Sequence, residues 1–128
     1  MANGDLQFLL DTGVCIRILR GASRIVHRIE QMPAGATAMS AITLAELAVG
    51  FARRPDEPSS QIDALIARVP ALAFDAAAAL NFPAARAARG KFDRLIAAHA
   101  LALDATLVTT NARDFRPVRG LRIADWTH

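Results

Sequence analysis

Five short apolar runs, at residues 6–10, 36–39, 71–74, 106–109 and 121–124, are separated by stretches patterned as helices. Runs of this length bounded by turn or capping residues read as buried strands. Strands that alternate with helices build a mainly parallel sheet covered on both faces, so the expected class is α/β. The helical stretches run from residue 12 to about 20, over 24–31, from 42 to about 53, over 61–69, through an alanine-rich segment from 76 to 89, and over 92–103. Gly21, Pro33, Gly35, residues 55–60 and Gly90 punctuate them, and Ser40 and Asp75 stand where N-caps belong.

With 128 residues, 53% of them hydrophobic, the chain can bury a core without staples, and the reading is one domain over residues 1–128. The lone Cys15 has no internal partner, no apolar run approaches the roughly 20 residues needed to cross a bilayer, and no signal-sequence pattern opens the chain. A cytoplasmic protein is expected, without membrane partners.

In open α/β sheets, ligands collect beyond the carboxyl ends of the strands, so the acids placed there carry the functional argument. Asp11 closes the first strand, Glu46 follows the second by about two helical turns, and Asp93 opens the helix that feeds the fourth. Asn111 and Asp114 follow that fourth strand directly. Each has a plain structural alternative. Asp11 would cap a helix; Thr43 to Glu46 has capping-box spacing if the helix starts at Thr43; Asp93 would favour a helix dipole; Asp114 would sit in a turn. Thr43, Glu46, Gly50 and Arg53 share one helical stripe, beside apolar Ile42, Ala45, Ala48 and Val49, which aims Glu46 along a polar groove. Asp93 shares its stripe with Ala97, Ala100 and Asp104, small neighbours that suit a cleft.

Carboxylates gathered at neutral pH repel one another and take up protons unless a cation neutralises them. All-oxygen donors suit a hard divalent ion such as Mg²⁺, and one cysteine with scattered histidines offers no zinc pattern. Such an ion supports phosphodiester hydrolysis. Fourteen of the 15 basic residues are arginine, whose planar fork matches phosphate. Arg113, Arg116, Arg119 and Arg122 recur around the last loop, and Arg86, Arg89, Lys91 and Arg94 surround Asp93. They read either as phosphate guides or as solvated surface charge. His99 and Cys15 read as packed groups, Phe115 and Trp126 as anchors of the chain end, and His27 and His128 carry no site signal.

Four segments in order carry a resemblance: Phe8-Leu9-Leu10-Asp11-Thr12; Ser40-Ala41-Ile42-Thr43-Leu44-Ala45-Glu46-Leu47 with Gly50; Asp93-Arg94-Leu95-Ile96-Ala97-Ala98-His99-Ala100-Leu101; and Leu107-Val108-Thr109-Thr110-Asn111-Ala112-Arg113-Asp114-Phe115, then Gly120-Leu121 and Asp125-Trp126. Across almost its whole length the chain resembles PIN-domain ribonucleases of the VapC toxin type. The resemblance implies a PIN-like three-layer sandwich with a small, mainly parallel central sheet, and endonucleolytic cleavage of RNA dependent on Mg²⁺ or Mn²⁺. Asp11, Glu46 and Asp93 match the principal metal-binding acids, Asp114 an additional one, and Asn111 a position that carries Asn or an acid. Thr12, Thr109, Arg113 and Arg116 are candidates for substrate contact. A VapB-type antitoxin covering the groove, a toxin homodimer and a toxin–antitoxin hetero-oligomer are implied as well, with Val14, Ile18 and Ile25 as candidate contacts. Only Gly90, Lys91 and Phe92 separate Arg89 from Asp93, a shorter approach than relatives often carry. The competing readings are a catalytically weakened RNA- or protein-binding module and a metal-dependent phosphatase. The phosphatase lacks support, because the chain reads Asp11-Thr12-Gly13 where two spaced aspartates are usual.

Overall fold

A computed structural model describes residues 5–127. Five strands, β1 (Phe8–Leu10), β2 (Thr37–Ser40), β3 (Ala71–Leu72), β4 (Thr106–Val108) and β5 (Ile123–Ala124), form one sheet in the order β3-β2-β1-β4-β5. Every pairing is parallel: Leu9 stands level with Ala38 on one side and with Leu107 on the other. The chain leaves β1 toward β2 and later returns on its other side as β4. The end of β1 is therefore the switch point where such sheets open a crevice.

Strand alternation divides the interior in two. Leu9, Ala38 and Leu107 face the layer built by α6 (Phe82–Ala85), α7 (Lys91–Leu103) and α8 (Ala112–Phe115). Leu10, Met39 and Val108 face α1 (Thr12–Leu19), α2 (Ser23–Glu30), α3 (Ala41–Ala52) and α4 (Ser60–Arg68). These side chains are almost fully buried, and each large one contributes about 1.5–3 kcal/mol of burial. The first layer is lined by alanines, including Ala85, Ala88, Ala97, Ala98 and Ala100, so α7 lies close against the sheet; the second uses larger groups such as Ile25, Leu47 and Trp126. The result is the expected three-layer α/β sandwich.

Several local expectations are corrected. The alanine-rich helix is broken into α5 (Ala76–Leu80) and α6, because Pro83 has no N–H to continue the ladder; Asp75 does cap its start, accepting from the Ala78 N–H at 3.0 Å. Ser40 caps α3 through Ile42 N–H, but α3 begins at Ala41, so Glu46 is too deep in the helix for a capping box. On α3 the buried residues are Thr43 and Leu47, while Ala45, Ala48 and Val49 are exposed, because α1 packs on the other side of the helix from them. Val14 and Ile25 belong to the core and Ile18 is half-buried, which removes the first two as surface contacts. Phe115 and Trp126 are buried, Trp126 with its ring edge-on to Phe8. His128 lies outside the described residues.

Candidate active site

Asp11 follows β1 at the switch point and is pinned at once. Its backbone N–H donates to Val108 O at 3.0 Å, and its Oδ1 accepts from Val14 N–H at 2.9 Å. It therefore is the cap of α1 that local sequence allowed, and the carboxylate remains available for more. Thr109, one residue beyond β4, is fully buried; its hydroxyl bonds the Asp11 carboxylate and accepts from Asn111 N–H at 2.9 Å. Its one proton and one of its two lone pairs are used inside the protein, so Thr109 positions the Asp11 carboxylate.

Glu46 is brought in by packing of α1 on α3. Thr12 Oγ1 donates to Glu46 Oε1 at 2.6 Å and lies 3.2 Å from Thr43 Oγ1. Thr12 has one proton, which the carboxylate takes, so the buried Thr43 hydroxyl donates to Thr12. Thr12 thus links α1 to α3. Glu46, Gly50 and Arg53 line a groove of about 350 Å³ between α1, α3 and the start of α4, in keeping with the stripe read from the sequence.

Asp93 is the third residue of α7, half-buried, and its carboxylate folds back to accept from Gly90 N–H. The contact is close: a Cβ at position 90 would stand 3.1 Å from Asp93 Oδ2. Asp114, in the short helix α8, faces Asp93 and stands 3.8 Å from the Arg89 guanidinium, whose backbone N–H also donates to Asp114 O at 3.1 Å. Asn111 is exposed at the start of α8.

The electrostatics tie these groups together. Burial pushes the Asp11 carboxyl above its ordinary range, against the opposing bonds from Thr109 and Val14, and the charges of Asp93 and Glu46 push it further. Burial likewise raises Asp93, with repulsion from Asp114 adding to it and the Gly90 N–H opposing. Glu46, Asp11, Asp93 and Asp114 therefore form a chain of mutually repelling carboxylates. Among the described residues no cation pairs with Asp11, Glu46 or Asp93. Nor do any three acids, histidines or cysteines there stand close enough together to hold a metal ion. In donor chemistry alone, unneutralised carboxylate oxygens suit a hard divalent cation such as Mg²⁺.

The basic residues sort by position. Arg113, Arg116 and Arg119 are exposed. Arg122 is not beside the acids: it bonds Asp104 Oδ1 at 3.0 Å and reaches Thr106, at the opposite end of the sheet. Arg94 donates to Ala88 O at 3.0 Å and holds the turn before α7. His99 is buried, its Nδ1 2.8 Å from Ser40 Oγ, with burial lowering its pKa; Cys15 is buried, and burial pushes its thiol far up. Neither has a path to substrate. The sequence reading overlooked Gly90 as the partner of Asp93, and Arg17 and Arg20, which share the Gly13 face of α1 at helical spacing, the one signal that points to them.

An open parallel sheet with unneutralised carboxylates past its central strands defines a class, the open parallel α/β domains with an acidic centre at the switch point. Residues 8–121 match the PIN domain family. The chain is 35% identical to the tRNA(fMet)-specific endonuclease VapC of Shigella flexneri, covering 95% of this chain and 99% of the relative, and 32% identical to its Salmonella typhimurium counterpart, covering 94% and 98%. Among solved structures, it superposes on a chain of the promoter-DNA-bound VapBC2 complex of Rickettsia felis with a TM-score of 0.86 at 27% identity, covering 94% of this chain and 99% of that one. The DNA-bound VapBC of Salmonella typhimurium gives 0.83 at 32%, covering 94% and 98%. The chain belongs to the PIN-domain family and, within it, to the VapC ribonucleases.

Proposed function

We propose that the chain is an endoribonuclease toxin that hydrolyses RNA phosphodiester bonds with Mg²⁺ or Mn²⁺ and is neutralised by a VapB-type antitoxin. The observation that carries this reading is the row of buried or half-buried carboxylates, Glu46, Asp11 and Asp93, that repel one another with no cationic partner among the described residues. Such an arrangement destabilises the fold unless a cation is its purpose.

Asp11, Glu46 and Asp93 would hold the ion, with Asp114 or Asn111 completing the set. Bound there, a hydrated divalent ion supplies an activated water and polarises a phosphoryl oxygen. The chain's own residues do the rest. Thr109 and Val14 N–H keep the Asp11 carboxylate in one orientation, Thr12 fixes Glu46, and Gly90 N–H turns Asp93 toward Asp114. Arg113 on α8 and Arg116 just after it, both exposed, would attract RNA phosphates.

The relatives named tRNA(fMet)-specific endonucleases make transfer RNA the first substrate to test. The VapBC complexes among the similar structures support an antitoxin partner, some of them on DNA. We propose further that residues 1–128 form one domain, that the toxin is a homodimer within a toxin–antitoxin hetero-oligomer, and that it works in the cytoplasm. Among the described residues no helix is long and apolar enough to cross a membrane.

The deciding experiment incubates antitoxin-free protein with total RNA in Mg²⁺ or EDTA and sequences the new 5′ ends. Discrete cuts present only with the metal are expected. RNA bound yet left intact in Mg²⁺ would favour the noncatalytic binding module.

A further inference from the structure

A second concavity, of about 620 Å³, adjoins the Glu46 groove along α1, the two sharing Ile16 and Arg20 as walls. Its walls include Arg17 and Arg20 from α1 and Thr110 and Asn111 from the loop after β4, with Gly13 between them. Among the described residues no carboxylate lines it, and neither arginine is ion-paired. Both arginines are exposed at their positions on the helix. Gly13 joins this cleft to the acids: a Cβ there would lie 3.6 Å from Asp11 Oδ1 and 3.7 Å from Thr110 Oγ1. Two guanidinium forks, a hydroxyl and an amide thus face one space whose inner wall reaches the Asp11 carboxylate.

We propose that this cleft is a phosphate subsite, in which Arg17 and Arg20 hold a backbone phosphate of the RNA strand next to the linkage that is cut. The inference rests on the proposed ribonuclease reading and adds to it the surface that positions the strand. Guanidinium forks take phosphate oxygens in pairs, and Thr110 and Asn111 offer neutral hydrogen bonds to a phosphate or a ribose hydroxyl. Arg17 faces this cleft alone, while Arg20 stands where it meets the Glu46 groove, so a phosphate held by both would lie beside the acidic centre. Neither Arg17 nor Arg20 takes part in the bonds that hold Asp11, so on this proposal their removal should weaken binding and leave the chemistry standing.

The test compares wild type with Arg17→Gln/Arg20→Gln on a transfer RNA and on short single-stranded oligonucleotides, following kcat, KM and their salt dependence in Mg²⁺. The expected result is a KM raised about tenfold or more with kcat held within about twofold, since two charge-assisted contacts are lost. The salt slope of RNA binding should flatten by about 0.7, the value for one phosphate neutralised on a single strand. Arg122→Gln, whose guanidinium is engaged with Asp104 at the other end of the sheet, should change neither quantity. An unchanged KM and slope in the double variant, with its melting temperature intact, would overturn the subsite. So would weakened binding of the antitoxin with RNA binding untouched, which would give the cleft to the protein partner. If the wild type cleaves no RNA, the ribonuclease reading fails separately, and RNA binding by Asp11→Asn with and without the two arginine changes still decides the subsite through the salt slope.

Discussion

Thr109→Val isolates one bond in the acidic centre. Valine has nearly the shape of threonine, so packing at this fully buried position is kept while the hydroxyl that bonds Asp11 and receives Asn111 N–H is lost. A hydrogen bond to a charged group contributes about 1.5–3 kcal/mol, and Asn111, being exposed, can turn its N–H to water. For a domain of this size roughly 3–5 °C of melting temperature accompanies each kcal/mol, so a fall of about 5–15 °C is expected at neutral pH. The bond favours the ionised form of Asp11, so the loss should be largest where Asp11 is charged and should shrink as the pH falls and the carboxyl protonates. For the same reason the acid limb of the pH profile of kcat/KM should move to higher pH in the variant. Thr109→Ser, which keeps the hydroxyl, should return that limb most of the way. Thermal denaturation of metal-free protein across pH, with the cleavage profile in Mg²⁺, measures both. A destabilisation equal at every pH, with the acid limb unmoved, would show that Thr109 only fills space and would refute the argument.

Asp11→Asn and Asp93→Asn should each lower Mg²⁺-dependent cleavage by two orders of magnitude or more, while Asp63→Asn, on exposed α4 surface, should not; full turnover in the first two would remove them from the site. Asp11→Asn should also raise the melting temperature of the metal-free protein at neutral pH, because asparagine still caps α1 and no longer carries a buried, repelled charge. Both raised carboxyls, Asp11 and Asp93, bind protons more tightly in the folded than in the unfolded chain, whose ordinary value is 3.8. Metal-free stability should therefore be highest below about pH 4 as far as these groups contribute, and decline as pH climbs through their folded values, a slope that Asp11→Asn flattens. Mg²⁺ should raise the melting temperature in proportion to the logarithm of its concentration once binding saturates, EDTA should reverse the gain, and Asp11→Asn should abolish it. Gly90→Ala suits the backbone at that position but crowds Asp93 Oδ2 at 3.1 Å; stability should hold or rise slightly while cleavage drops severalfold.

The strands and the acids at their ends were readable because each is announced locally, by an apolar run and by the polar residue that stops it. Asp11, Ser40 and Asp75 cap the helices their positions suggested. What local signals could not carry was the face each helix turns inward. Val14 and Ile25 look like surface contacts until α1 and α2 are packed against the sheet, and Arg122 looks adjacent to Asp114 until β5 takes it to the other end. The Thr43–Thr12–Glu46 link joins residues more than thirty positions apart and exists only through the docking of α1 on α3. Arg17 and Arg20 carry no motif; they gain meaning from Thr110 and Asn111 arriving opposite them.

The order of strands across the sheet also bears on when the protein can do harm. The earliest strand to leave the ribosome is the middle one, and one of its two flanking strands, β4, is among the last. Until that late segment emerges, Asp11 has neither the Val108 carbonyl beneath it nor Thr109 beside it, and Asp93 has no Asp114 to face. On the proposed assignment of the acids, a nascent chain has no assembled cutting centre while its own synthesis still depends on intact RNA.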